Sequence, residues 1–185
     1  MKSLETQRLI LRPFTTTDEA IHDVVFSDPE VCHFYCRNTR TLEEVREWLV
    51  YRKWQARLED LGFLAVVRRE DQALLGLVAL QPYVPTWIVW EDAPASPYNN
   101  LEVELSYAFG RAYHRQGYAA EACRALIDYA FRELKIPRIA YGVDGDNVPS
   151  WSLMKSLGFR LGKNLHPDQS NEVVGILDNV KTGQF

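Results

Sequence analysis

A glycine set among small residues, at the point where a strand pattern hands over to a helix pattern, constrains this chain more than any other feature. The stretch is Tyr113-His114-Arg115-Gln116-Gly117-Tyr118-Ala119-Ala120-Glu121-Ala122. Upstream, residues 101–109 alternate and are rich in strand formers; downstream, Ala119, Cys123, Leu126, Ile127, Ala130, Phe131 and Leu134 recur at helical spacing. At a helix start the first N–H groups lack intrahelical partners and the macrodipole is positive, so the main chain can hold an anion. Gly117, Ala119 and Ala120 are small enough for a pyrophosphate to come close to the backbone. The same residues also make an ordinary tight turn before an alanine-rich helix, so the loop alone does not decide.

A second segment narrows the choice. Strand-like Arg138-Ile139-Ala140-Tyr141-Gly142-Val143 leads to Asn147-Val148-Pro149-Ser150, which opens a helical run closed by Ser156-Leu157-Gly158-Phe159. The two segments together resemble the GNAT family of N-acetyltransferases, and within it the branch containing the ribosomal-protein N-terminal acetyltransferases. The family's (Gln/Arg)-x-x-Gly-x-(Gly/Ala) motif falls on His114 to Ala119, and its Asn-x-x-Ser helix start closed by Leu-Gly-Phe falls on the second segment. Leu4 to Pro13 looks like the family's opening strand and Val103-Glu104-Leu105-Ser106-Tyr107 like its central strand, so the resemblance covers nearly the whole chain. His114 departs from the usual Gln, Arg or aromatic, and Arg115 stands where the branch commonly has a second glycine. If that position needs φ > 0, Arg115 is strained; if not, its side chain adds a charged contact to a phosphate.

The resemblance implies an α/β, GNAT-type acyl-CoA N-acyltransferase fold. Its sheet is mixed and twisted, with splayed central strands flanked by helices, and CoA enters the gap with its pyrophosphate on the helix starting near Gly117. It implies transfer of the acetyl group of acetyl-CoA to a primary amine by direct attack, with no metal. The cofactor-binding set it carries over is the backbone of Ala108 and Phe109 beside the pantetheine, the loop His114, Arg115, Gln116, Gly117, Tyr118, Ala119 and Ala120, and Asn147 on the pantetheine arm. Arg111 and Arg115 then belong with His114 to the CoA site. Main-chain N–H groups near Leu105 to Tyr107 are the expected donors to the developing oxyanion.

The resemblance makes Ser150, the serine of the family's Asn-x-x-Ser helix start, the proton donor to the departing thiolate; a thiol with a pKa of about 8.5 needs only a modest donor. Ser150 serves equally well as a first-turn backbone cap, and Asn147 as a helix N-cap. By the same resemblance Glu104 is the best-placed carboxylate for a base, with Glu102 two residues away on the same strand face. Glu104 reads equally as a strand glutamate without a role, and the two carboxylates together as an attractor for a cationic amine. A free α-amine, with a pKa of about 7.7–8.0 against about 10.4 for lysine, needs little help from a base. With the resemblance to the N-terminal acetyltransferase branch, the acceptor expected is a protein or peptide N-terminus. The alternatives are a small amine such as an aminoglycoside, polyamine or amino-acid analogue, or a non-catalytic module that binds CoA or a protein.

Composition agrees with one domain spanning residues 1–185, at 46% hydrophobic and 25% charged. No apolar run reaches bilayer length and Met1-Lys2-Ser3-Leu4-Glu5 has no apolar signal core, so a cytoplasmic location without membrane attachment is expected. Of the three cysteines, Cys123 falls on an apolar helical stripe. Cys32-His33 with Cys36 has no second ligand pair at zinc spacing, so neither a metal site nor a disulfide is expected. A net charge of −4 speaks against a nucleic-acid partner and suits a cationic substrate. His22, His33 and His166 have no assigned role, and oligomeric state is not readable.

The remaining elements follow from local signals. Residues 8–13 read as a strand, and Thr16-x-x-Glu19 as a capping box opening a short helix that ends near Phe26. Thr41-x-x-Glu44 opens a longer helix, with Leu42, Val45, Leu49 and Ala56 on one face, ending before Gly62. Strands follow at 63–68 and 74–83, and a further strand at 172–177. Residues 82–100, with Pro82, Pro85, Pro94, Pro97, Trp87, Trp90 and Tyr98, read as a wall or lid over the acceptor, Glu91 and Asp92 adding negative charge; the alternative is a loop pinned to the core.

Overall fold

The computed structural model describes residues 1–57, 60–83, 102–166, 168 and 171–179. In chain order the elements are β1 (Leu4–Glu5), β2 (Leu9–Pro13), a short helical turn (His22–Phe26), α1 (Pro29–Tyr35), α2 (Leu42–Gln55), β3 (Gly62–Arg68) and β4 (Leu74–Tyr83). There follow β5 (Glu102–Phe109), a 3₁₀ turn (Arg111–Tyr113), α3 (Tyr118–Arg132), β6 (Arg138–Asp144), α4 (Val148–Ser156), β7 (Arg160–Lys163) and β8 (Glu172–Asp178). The strands form one eight-stranded sheet in the order β1-β2-β3-β4-β5-β6-β8-β7. It is mixed: β5 pairs with β6 in parallel, while the pairs β1–β2, β2–β3, β3–β4, β6–β8 and β7–β8 are antiparallel.

The parallel ladder between β5 and β6 holds Val103↔Ile139 and Glu104↔Ala140, although β5 runs on to Phe109 and β6 to Asp144. Among the described residues that pairing stops after Glu104, which is the parting of central strands the sequence leads one to expect. Backbone groups released from a ladder must find other partners, so a strand edge freed in mid-sheet is a natural place for a ligand to bind.

Close contacts divide the chain into two compact units, one made of residues 1–81 and 106–126, the other of residues 82–105 and 127–185. The core of the first is built around Trp48. Its ring meets Phe14, Phe26 and Phe63 edge-on at centroid distances of 5.0, 5.2 and 5.5 Å, the arrangement the aromatic quadrupole favours. Trp48 is held there by α2, whose start is the capping box read from the sequence: the Thr41 side chain accepts from Glu44 N–H and the Glu44 carboxylate accepts from Thr41 N–H.

The box at Thr16 and Glu19 does not form. Asp18 takes the position instead, accepting from Thr15 N–H at 2.7 Å and Thr15 Oγ1 at 2.9 Å while pairing with Arg12 at 2.7 Å. Glu19 turns to Arg46 on α2 at 3.0 Å. The helical turn consequently starts later, at His22, and closes with a wide bond from Ser27 N–H to His22 O. Helix α1 went unread in the sequence, although Asp28 caps it from Glu30 N–H and Pro29 occupies its first turn.

In the second unit, β6 and β8 pair along seven residues, from Arg138↔Asp178 to Asp144↔Glu172. Helix α4 ends in a Schellman motif: Phe159 N–H donates to Met154 O and Gly158 N–H to Lys155 O, with Gly158 at φ +96°. The Leu-Gly-Phe signature is thus a helix stop that turns the chain into β7, a strand the sequence reading passed over. Among the described residues no helix is long and apolar enough to cross a membrane.

Candidate active site

The phosphate loop leaves the end of β5, makes the 3₁₀ turn and enters α3. Gly117 sits at φ +80° and Arg115 at φ +59°. Arg115 therefore bears the strain anticipated for a residue replacing a glycine, about 1–3 kcal/mol. Its side chain is exposed. The first intrahelical bond of α3 runs from Glu121 N–H to Gly117 O at 3.0 Å. Among the described residues, no backbone acceptor takes an N–H from Arg115 to Ala120. These amides lie just ahead of a helix, in a stretch whose residues Arg115 to Gly117 are exposed, and could serve as donors that cradle an anion.

His114 departs from expectation. Its N–H is used on Arg111 O at 3.1 Å and its Nε2 lies 2.8 Å from Phe109 O, so the residue braces the loop against the end of β5 and offers no amide to a phosphate. Gln116 likewise spends its side-chain amide on Ala112 O at 2.8 Å. Arg111 is turned away to Asp28 and Glu30 at 2.6 and 2.8 Å, so its guanidinium pins the start of α1 and does not serve the CoA site.

The loop is held from behind by a clamp not foreseen in the sequence. Arg8 Nη1 donates to Gln116 O at 3.0 Å and Arg8 Nε to Glu121 Oε2 at 2.7 Å. Thr6 Oγ1 and Arg8 N–H donate to Glu121 Oε1 at 2.6 and 2.9 Å. Burial alone would raise the Glu121 carboxyl, yet the hydrogen bonds from Thr6 and Arg8 hold it below the usual carboxylate range. Arg8 also lies 4.5 Å over the Tyr118 ring. By fixing the Gln116 carbonyl, Arg8 sets the direction of the following peptide N–H.

Two observations in this unit fit a pantetheine chain. The Ser106 hydroxyl on β5 is buried without a hydrogen-bond partner among the described residues, so it is available to a polar group of a ligand. Ala108 packs its methyl into the apolar core, which leaves its backbone as what it can offer a ligand. Ala119 and Ala120, half-buried at the start of α3, keep the cradle free of bulk.

The second unit carries Asn147, Ser150 and Glu104, the last two being the groups expected to move protons. Asn147 is the N-cap of α4: its Oδ1 accepts from Ser150 N–H at 3.3 Å. Capping thus falls to Asn147, and the Ser150 hydroxyl is directed instead to Tyr141 Oη on β6, at 2.5 Å. Tyr141 is buried, 5% exposed, with its ring edge-on to Phe159 at 6.1 Å. No sequence signal marked it, because a tyrosine in a strand is most often core.

Glu104 is half-buried on β5, and burial, helped by the nearby negative charge of Glu172 on β8, lifts its carboxyl from 4.5 to about 7. The expected partnership with Glu102 is corrected: Glu102 is 5% exposed and is neutralised by the Arg138 guanidinium, which hydrogen-bonds both its oxygens. The like charge that acts on Glu104 comes from Glu172, whose Oε2 accepts from Asn164 Nδ2 at 3.1 Å. His22 has a partner after all in Asp23, at 2.6 Å. The proposed lid at Pro85, Trp87, Trp90, Glu91 and Asp92 lies outside the described residues.

Comparison with known proteins bears on the family and the fold. The sequence profile described as "Acetyltransferase (GNAT) domain" matches residues 8–160. YnaD of Bacillus subtilis, an uncharacterized N-acetyltransferase, is 25% identical over 158 residues, covering 85% of this chain and 82% of its own. Among solved structures, a GNAT-family acetyltransferase of Bacillus anthracis superposes with a TM-score of 0.74 at 21% identity, covering 96% of this chain and 98% of its own. The ribosomal-protein-S5-alanine acetyltransferase of Vibrio fischeri gives 0.73 at 15% identity over 100% of both chains.

Proposed function

The chain belongs to the GNAT family of acetyl-CoA-dependent N-acetyltransferases, and we propose that its acceptor is a protein or peptide N-terminal α-amine. The feature that supports this reading is the half-buried Glu104 carboxyl on β5, which burial and the nearby Glu172 on β8 lift from 4.5 to about 7. Taking a proton from an α-ammonium with a pKa of about 7.7–8.0 costs such a base about 1 kcal/mol, whereas a lysine at about 10.4 costs close to 5. A base tuned so near neutrality is matched to the first and wasted on the second. The likeness to the Vibrio fischeri enzyme is one of fold and adds nothing to this choice of acceptor.

The roles follow residue by residue. The amides of Arg115 to Ala120 hold the pyrophosphate, with Arg8 and His114 bracing the loop. Ser106 and the backbone of Ala108 and Phe109 receive the pantetheine. Glu104 removes the proton of the attacking amine, N–H groups of β5 near Leu105 to Tyr107 take up negative charge on the carbonyl oxygen, and Ser150 protonates the departing thiolate. Asn147 fixes Ser150 by capping α4. We place the activity in the cytoplasm, a reading supported by the three free thiols.

The test is acetyl-CoA-dependent thiol release with peptides carrying a free or blocked N-terminus, and with a panel of polyamines and aminoglycosides. Turnover is expected on free N-termini and absent when the same peptide is blocked and keeps its lysines. Faster turnover on blocked, lysine-bearing peptides or on small amines alone refutes the acceptor.

A further inference from the structure

We propose that Tyr141 is the positioning residue behind Ser150 and the reservoir from which Ser150 replaces the proton it gives to the thiolate. The inference rests on the reading of Ser150 as thiolate acid, and deepens it.

A serine hydroxyl has one proton and two lone pairs. If the proton points at the sulfur, the oxygen is best placed by a donor on its other side. Tyr141 Oη can supply that bond: it lies 2.5 Å from Ser150 Oγ, at the short end of the range for O–H···O bonds. Both partners are fixed. Ser150 lies in the first turn of α4, its N–H tied to Asn147 through both the carbonyl at 3.0 Å and Oδ1 at 3.3 Å. Tyr141 lies in the middle of the seven-pair β6–β8 ladder, its ring held by Phe159. The neighbouring Trp151 anchors the approach to α4 by donating from Nε1 to Gly145 O at 3.1 Å. A buried tyrosine hydroxyl needs a partner, and here the partner is the one side chain on α4 to which thiolate chemistry has been assigned.

The step balances. The Ser150 Oγ–H bond breaks as the S–H bond of the thiol forms; the Tyr141 Oη–H bond breaks as Ser150 regains its proton; water then reprotonates the phenolate. No redox partner is involved. Without Tyr141, the transfer would leave a serine alkoxide, a much stronger base than phenolate. With it, the proton comes from a phenol whose ordinary pKa is about 10, close to the thiol's 8.5.

Tyr141→Phe keeps the ring and removes the oxygen. It is expected to lower kcat about ten- to a hundredfold while KM for acetyl-CoA stays within about twofold. The double variant with Ser150→Ala is expected to be no slower than Ser150→Ala alone, because the two hydroxyls act in series. A 3-fluorotyrosine at 141, more acidic at the same volume, is expected to move the alkaline limb of the pH–rate profile downward. Independently of turnover, its ¹⁹F resonance in the enzyme alone is expected to shift when Ser150 is replaced by Ala. Wild-type kcat in Tyr141→Phe, additive losses in the double variant, an unmoved alkaline limb or an unmoved ¹⁹F resonance would each overturn the proposal. Failure of the underlying reading looks different: Ser150→Ala itself would then turn over at the wild-type rate.

Discussion

Glu104→Gln offers a test in which stability and catalysis move in opposite directions. Raising a carboxyl from 4.5 to about 7 means the folded protein disfavours the charged form by about 3 kcal/mol. The sign follows from linkage. Below pH 4.5 the group is protonated in both folded and unfolded chains and carries no penalty. Between 4.5 and 7 the unfolded chain releases its proton first, so stability falls as pH rises; above 7 the full penalty is present. Gln mimics the protonated acid at every pH. The variant is therefore expected to match wild type at pH 4.5 and to exceed it by about 2–3 kcal/mol at pH 8, the lower figure allowing for relaxation around a half-buried group. For a chain of this size that is roughly a 4–12 °C gain in Tm. Melting curves of both proteins between pH 4.5 and 8 give the comparison, and kcat/KM for a free-N-terminus peptide is expected to lose its acid limb near 7. A stability difference that is constant across this pH range, or that favours wild type at pH 8, refutes the account of Glu104. Glu172→Gln supplies the second arm: removing that charge is expected to move the acid limb to lower pH.

Acetyl-CoA at a hundredfold excess over its Kd is expected to stabilise the protein by about 2.7 kcal/mol, and Gly117→Asp to abolish this by placing a carboxylate where a phosphate belongs; thermal shift with and without acetyl-CoA reads both, and equal shifts in the two proteins would disprove the cradle. Arg138→Met strands the buried Glu102 carboxylate and is expected to cost about 3 kcal/mol, most of it regained in the double variant with Glu102→Gln. Urea denaturation checks this, and no recovery in the double variant would mean that the ion pair is not what the loss reports.

What could be read from the sequence was what neighbouring residues decide among themselves. The Thr41–Glu44 box, the Asn147 cap and the Gly158 stop are bonds within a few residues, and all three formed. The box at Thr16 failed by the same logic, since Thr15 had a nearer acceptor in Asp18, made firm by Arg12 from the preceding strand. The loop at Gly117 was legible as a shape but not in its supports. Arg8 stands more than a hundred residues from the carbonyl it holds, and nothing near it in sequence reports that contact. Glu102 and Glu104 share a strand, yet the first was settled by Arg138 on β6 and the second by its burial, with Glu172 on β8 adding to it. Ser150 was found through its motif, and Tyr141 was not, because the bond joining them is made by the packing of α4 on its strand.

The clamp at Arg8 also orders events in time. It joins positions 113 residues apart, so the cradle cannot take its final form until the N-terminal strand and the start of α3 have both been made and brought together. Long-range closures of this kind are the slow steps of folding. Loss of the first eight residues would accordingly remove little of the apolar core and yet disable the loop that lies more than a hundred residues away.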